Sequence, residues 1–420
     1  MDPDAISPKT KSEHTRTIPQ HRNLTGAHPN RGSPNIFLAL FGLHPRPLHA
    51  DLPSPVQIGL PRETYRMTPP SRRSRPAVSR TAKRTTTRPV VRASSRLPRT
   101  HARRSKSFFV GIDLGGTNMQ IGVVDANNNL RGASRKKTRA EEGSAAIIDR
   151  LARGVQEACD DAGIMPSQVA AIGIGAPGAI DPDAGVVLEA VNLNWTDYKL
   201  ARILSTRLHT PVFVDNDVNV AVLGEQRMGA AQGASDVLGV WAGTGIGGGI
   251  ILNGELFYGG YKTAGEIGHT ILYPGAPLGE RTVENLCSRT NVVNRIAALI
   301  KANHKSSLTR LVDGDIEKVR SKTLARAYQE KDPLTMEVVD AAADLLGVSI
   351  ANYVTMLSLP LVVLGGGLTE AIGSPFVQRV ERSVRKYAFP DRCKAVKVVA
   401  SKLRDNAGVF GAALIAKERR

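Results

Sequence analysis

The stretch FFVGIDLGGTNMQIGVVD, residues 108–125, reads as an apolar strand, the turn Asp113-Leu114-Gly115-Gly116-Thr117, and a second apolar strand running into an Asn-rich turn at 127–129. Runs of β-branched and aromatic residues bounded by glycine and asparagine mark strands and their reversals. About 130 residues later the pattern returns as VLGVWAG, then Gly243-Thr244-Gly245-Ile246-Gly247-Gly248-Gly249, then IILNGEL. Two similar glycine hairpins predict a duplicated architecture with a cleft between its halves. Between them AAIIDRLARGVQEACDDAG has helical spacing, VAAIGIGAPG is a strand ending in a Pro-Gly turn, and TPVFVDND is another strand. After them come a long apolar-periodic helix over 333–357, the strand PLVVLGGG and a closing helix, AGVFGAALIAKERR. The class is mixed α/β, with glycines at the carboxyl ends of strands, where open sheets bind ligands.

Outside this body the composition changes. The chain has 420 residues and a formal net charge of +18, but residues 1–106 hold 21 Lys/Arg against 5 Asp/Glu, and the remainder 35 against 33. The basic character therefore belongs to the first 106 residues, and the near-neutral body gives no nucleic-acid footprint. That segment carries 15 of the 25 prolines and has no acidic residue over 64–112. It cannot bury enough apolar area to offset its ordering entropy and is expected to be a disordered tail. An over-extended translation start, a transit peptide and an anionic-surface tether are its other readings. Prolines at 61, 69, 70, 76, 89 and 98 interrupt every candidate helix-turn-helix. The three cysteines are widely spaced without a CxxC pair, as in reduced cytosolic proteins. The longest early apolar run, residues 36–43, is far short of a bilayer span.

The glycine turns carry the first chemical signal. Backbone N–H groups of Gly115 and Gly116 and the Thr117 hydroxyl can approach phosphate oxygens, since glycine adds no side chain and tolerates positive φ. Asp113 suits a magnesium ion held through water. One such hairpin is ordinarily only a turn. Together with 243–249 and with Gly365-Gly366-Gly367 after a third strand, it suits a nucleotide's phosphates and adenosine. No GxxxxGK[ST] loop occurs, and the second strand after Gly243 separates that turn from a dinucleotide fingerprint.

At Val214-Asp215-Asn216-Asp217-Val218-Asn219 a strand meets a helix-like run. An Asp or Asn there is ordinarily an N-cap. A carboxylate so placed can also accept the proton of an alcohol attacking a phosphoryl group. Glu266, His269 and Glu284 singly read as surface charges and an ordinary histidine. Beside glycine-rich loops they can bind several hydroxyls of a sugar.

With these residues in place the sequence resembles sugar kinases of the ROK family, most closely the glucokinase branch. The landmarks are DLGGT at 113–117, GAPGAID at 175–181, NLNW at 192–195, DNDVN at 215–219, GTGIGGG at 243–249, AGEIGH at 264–269, VLGGG at 363–367 and the GxxGAA helix from Gly408. The similarity runs from about Phe108 to Ala416. The resemblance implies an actin-like ATPase fold: two ribonuclease-H-like domains, here 107–225 and 226–404, with 405–420 packing back on the first, closing over sugar and ATP, often in dimers. It implies Asp217 as base for the 6-hydroxyl, and Gly178, Asn216, Glu266, His269 and Glu284 around the sugar. Asp113, Gly115, Gly116, Thr117, Thr244 and Gly245 would handle phosphates and Mg²⁺, with Gly366 and Gly367 on the adenosine side. Many members bind zinc through the GEIGH histidine and three cysteines; here that segment reads YPGAPLGERTVENLCSR, so no zinc site is expected. The expected activity is cytoplasmic, ATP-dependent phosphorylation of glucose or a close aldohexose, by a homodimer without membrane or specific nucleic-acid partners. Another hexose, polyphosphate as donor, a sugar-responsive repressor and a non-catalytic sugar sensor are the alternatives.

Overall fold

The structure, a computed structural model, describes residues 108–420. The expectations for residues 1–106, the disordered tail among them, lie outside the described residues.

Strand β1 (Phe108–Leu114) turns through the first glycine hairpin into β2 (Asn118–Asp125), which pairs in turn with β3 (Leu130–Lys137). The Asn-rich reversal forms because the Asp125 carboxylate accepts from the backbone N–H groups of Asn127 and Asn129, while Asn128 takes φ 64°. Helix α1 (Ser144–Asp161) covers this sheet with Ile147, Leu151, Val155 and Ala158, a stripe at three- and four-residue spacing. Strand β4 (Val169–Ala176), buried along its whole length, lies parallel to β1. A small antiparallel sheet of β5 (Ala179–Asp181), β6 (Val186–Ala190) and β7 (Trp195–Tyr198), not foreseen from the sequence, follows the Pro-Gly turn. Helix α2 (Leu200–Leu208) then leads to β8 (Val212–Asn216), parallel to β4. Helix α3 (Asp217–Met228) leaves this first sheet.

The second sheet repeats the plan. Strands β9 (Val237–Ala242), β10 (Ile246–Leu252) and β11 (Glu255–Leu256) form the antiparallel part around the second glycine turn. A helical excursion follows: α4 (Val283–Cys287), α5 (Arg289–Lys301), α6 (Ser307–Leu311), α7 (Ser321–Gln329) and α8 (Pro333–Leu357). Strand β12 (Leu361–Gly365) returns parallel to β9 and passes directly into α9 (Gly366–Ile372), so the third glycine turn joins a strand to a helix and is not a hairpin. Helix α10 (Ser374–Tyr387), strand β13 (Lys397–Ala400) and helix α11 (Ala407–Arg419) complete the chain. The sheet orders, β3-β2-β1-β4-β8 and β11-β10-β9-β12-β13, match strand for strand. This is the actin-like ATPase fold.

Helix α11 lies on the first sheet at backbone distance. A Cβ at Gly111 would sit 1.9 Å from the Val409 carbonyl oxygen, and one at Gly173 1.8 Å from that of Ala412. Helix α3 is equally close: a Cβ at Gly411 would meet the Val220 oxygen at 1.6 Å. On its other side α3 faces β10, where Cβ atoms at Gly247 and Gly249 would strike Val218 and Val222. Because these neighbours are backbone and short β-branched side chains packed between helix and strand, they cannot swing aside. Gly173→Ala is therefore expected to destabilise the protein by about 3 kcal/mol, read as a lower thermal midpoint. An unchanged midpoint would show that α11 can lift off the sheet without cost.

Candidate functional site

A cleft of about 800 Å³ opens between the two sheets. Its floor is built by local rules. Asn216 caps α3, its Oδ1 accepting from the N–H groups of Val218 (2.8 Å) and Asn219 (3.1 Å). Its Nδ2 donates to the Gly178 carbonyl at 3.1 Å, tying the helix start to the Pro-Gly turn. Gly178 has φ 90°, and a Cβ there would lie 2.0 Å from the Glu189 carbonyl oxygen, so only glycine fits. With Asn216 as the cap, Asp217 is released from that task and occupies the first helical position, facing the cleft.

Opposite, Glu266 precedes a single 3₁₀ turn, Ile267–His269, which places His269 beside it. Glu284 is delivered by a capping box, in which Thr282 Oγ1 accepts from Asn285 N–H and the Asn285 side chain returns the bond. The Glu284 carboxylate closes onto the second glycine turn and accepts from Ile246 N–H at 2.9 Å; a Cβ at Gly245 would meet it at 2.2 Å. Thr244 at the tip of that turn accepts from the Arg289 guanidinium at 3.1 Å.

Of the residues expected from the sequence, Gly115, Gly116, Gly178, Asn216, Asp217, Thr244, Gly245, Glu266, His269, Glu284 and Gly366 all line this cleft. Asp113 and Thr117 do not: Asp113 lies behind the first turn against Gly408, and Thr117 is exposed beside it. Gly367 borders a second cavity, also about 800 Å³, at the carboxyl ends of β12 and β13. Thr369, buried with an unpartnered hydroxyl, lines that cavity too. Gly366 and Gly367, adjacent in the chain, thus line one cavity each. Cleft residues carrying no expected role include Glu189, Val191 and Trp241. Trp241 packs so closely on Gly365 that a Cβ there would meet its ring at 2.4 Å, a contact no sequence periodicity reports.

The cleft concentrates negative charge. Burial, the Asp113 carboxylate and Glu266 push the Asp217 carboxyl from the ordinary 3.8 up to about 7, against the favourable Val218 N–H. Burial and Asp405 raise Asp113 to about 6, opposed by Arg135. Glu266 faces open space, yet the walls around it desolvate it and, with Glu284, raise its carboxyl, while His269 works the other way. No group of three or more His, Cys, Asp and Glu among the described residues is gathered to hold a metal ion. The segment after His269 is closed by backbone bonds from Leu272 and Tyr273 to Arg281 and by Arg281 Nε donating to the Ala276 carbonyl at 2.5 Å.

The ROK family model matches residues 109–419. A glucokinase of Halalkalibacterium halodurans is 32% identical over 320 residues, covering 75% of this chain and 96% of that protein. A putative xylose repressor of a Caldicellulosiruptor species is 29% identical over 313 residues, covering 73% of this chain and 77% of the repressor. Among solved structures, a ROK family glucokinase from Streptomyces griseus in complex with glucose and AMPPNP superposes with a TM-score of 0.67 at 29% identity, over 74% of this chain and 99% of that one.

The raised Asp217 carboxyl has a consequence for stability. Its native state holds a proton more tightly than the unfolded chain, so its contribution is complete below about 4 and is lost as pH rises through about 7. Asp217→Asn cannot ionise, so its thermal midpoint should gain on the parent by roughly 5 °C or more between pH 5 and pH 8. A constant gap in ligand-free protein would refute the buried-charge account.

Proposed function

The chain belongs to the ROK family, and from that premise we propose that it transfers the γ-phosphoryl group of ATP to the 6-hydroxyl of glucose or a close aldohexose, giving the 6-phosphate and ADP. One observation carries this reading: a carboxylate at a helix start, Asp217, shares one cleft with two glycine turns and with Glu266, His269 and Glu284. A phosphate-sized approach on one side and a ring of polar groups on the other is what a kinase for a small polyol requires.

In this reading Asn216, Gly178, Glu266, His269 and Glu284 hold the other hydroxyls of the sugar and orient its 6-hydroxyl toward the turns. Asp217 accepts the hydroxyl proton as the oxygen–phosphorus bond forms and the bond to the β-phosphate oxygen breaks. Gly116, Thr244 and Gly245, which line the cleft, present N–H and hydroxyl donors to the phosphates, while Gly115, its N–H held by the Asn118 carbonyl, shapes the first turn. Asp113 and Asp217 supply hard oxygen donors of the kind Mg²⁺ takes, and the Asp113 charge helps raise the Asp217 carboxyl, so the two would hold the ion, with Asp113, behind the first turn, acting through water. When bound, Mg²⁺ would offset charge on the transferring group. Gly366 lines the cleft with Thr244 and its neighbour Gly367 lines the second cavity, which supports adenosine beside them with its phosphates toward Thr244.

The proposal divides the body at 225/226 and 404/405. The first sheet ends at Asn216 and the second begins at Val237, with α3 between, while α11 returns to β1 and β4. A homodimer in the cytoplasm belongs to the same reading; among the described residues no helix is long and apolar enough to cross a membrane. The repressor relative favours a second reading, a sugar-responsive regulator. It leaves an available base at Asp217 without a task.

The test is ADP release from Mg-ATP with a panel of hexoses, beside Asp217→Ala. Turnover is expected to be greatest on glucose and about 10³-fold lower in the variant. Hexose binding without turnover in the parent would favour the regulator, and near-normal turnover in Asp217→Ala would remove the mechanism.

A further inference from the structure

Two residues before the proposed base, Asp215 is 1% exposed, and each of its oxygens is committed. Oδ1 accepts from Asn216 N–H at 2.9 Å and from Asn219 Nδ2 at 3.1 Å, bracketing Asp217 in the chain. Oδ2 accepts from the Tyr258 hydroxyl at 2.6 Å and from Arg419 Nη2 at 3.0 Å. Arg419 Nη2 also donates to the Tyr258 hydroxyl at 2.6 Å, and its guanidinium lies 5.9 Å from that ring's centroid. Arg419 Nη1 donates to the Pro182 carbonyl at 3.4 Å.

These partners come from separate parts of the fold. Asp215 is the second-last residue of β8 in the first sheet, Arg419 ends α11, and Tyr258 follows β11 of the second sheet. Tyr258 also leads into the segment that carries the sugar-facing side chains. Its carbonyl accepts from Ala264 N–H at 3.1 Å, two residues before Glu266, and Gly265 accepts from Ile267 N–H at 2.6 Å. A continuous path of hydrogen bonds thus runs from the flanks of Asp217 through Asp215 and Tyr258 to the turn that presents Glu266 and His269. The neighbouring Lys262–Asp183 pair, 2.7 Å long, spans the same gap but is exposed and adds little.

We propose that the Asp215–Tyr258–Arg419 clasp positions the phosphoryl-transfer site, holding the base on one wall in register with the hexose-binding turn on the other. Tyr258 and Arg419 are positioning residues; neither touches the reacting atoms. The clasp rests on the reading of the cleft as a hexose kinase. A carboxylate this buried needs a full counter-charge, and the structure draws that charge from the penultimate residue of the chain. Tyr258 is the member whose hydroxyl joins the segment after β11 to the end of β8, so its loss frees the turn while leaving the ion pair of Asp215 with Arg419 in place.

The experiment uses the full chain and three measurements: glucose affinity by calorimetry, steady-state kinetics with glucose and Mg-ATP, and amide hydrogen exchange. For Tyr258→Phe, glucose affinity and kcat are each expected to fall roughly tenfold, with the KM for ATP within about twofold of the parent's. Exchange should accelerate over 258–266 and 215–219 and nowhere else. Arg419→Lys should recover most of what Arg419→Ala loses, and Tyr258→Phe combined with Arg419→Ala should be no worse than the poorer single variant. Native glucose affinity and kcat with only a lowered thermal midpoint would overturn the clasp, as would strictly additive losses or an equal loss of ATP binding. Failure of the parent to phosphorylate any hexose is a different result: it removes the kinase reading, and the exchange pattern then decides the clasp on its own.

Discussion

Helix α3 must touch both sheets and α11 at once, and it does so only because glycines bring backbone against backbone. Gly175 on β4, Gly247 and Gly249 on β10, and Gly411 on α11 each leave room for α3 where any side chain would collide. The helix is buried over most of its length, from Asn219 to Gln226. Its first residue, Asp217, is thereby fixed between two glycine turns that belong to different halves of the molecule. Everything chemical in the cleft is referenced to that helix start.

The same helix start shows how burial and compensation divide the work between two aspartates. Asp215 is sealed and fully paired, with Arg419 supplying the counter-charge and Tyr258 a hydrogen bond. Asp217, two residues on, lines the cleft, accepts from the Val218 N–H and has the Asp113 and Glu266 carboxylates as charged neighbours, with no cation of the described residues against it. One carboxylate is thus locked as structure and the other is left with high proton affinity. Asn216 between them makes the separation possible by taking over the N-cap. Further along α3, Glu225 plays a similar sealed role toward the second half, its buried carboxylate accepting from Ser401 Oγ and from the N–H groups of Lys402 and Leu403. It anchors the link from β13 to α11, and so indirectly the placement of Arg419.

The segment after His269 is held by its own local bonds: the N–H groups of Leu272 and Tyr273 reach the Arg281 carbonyl, and the Arg281 side chain donates to the Ala276 carbonyl.

Much of the site was legible because it is written in short, local chemistry. Gly115-Gly116, Gly243–Gly249 and the Asn216-Asp217 step are turn and cap signals whose geometry depends on a few adjacent residues, and the duplicated hairpins announced the paired sheets. The small sheet β5–β7 was not legible, because its strands are only three to five residues long and take their pairing from the β4 turn. Neither was the clasp. Tyr258 and Arg419 stand 161 positions apart in segments with no motif, and nothing local distinguishes a tyrosine in a loop or an arginine near a chain end. Sequence by itself determined the strands, the glycine turns and the chemical types facing the cleft, since propensity, pattern and backbone freedom act over a few residues. Only the tertiary structure decided which carboxylate is neutralised and which is left exposed to its neighbours, because burial and counter-charge arise when distant segments are packed together.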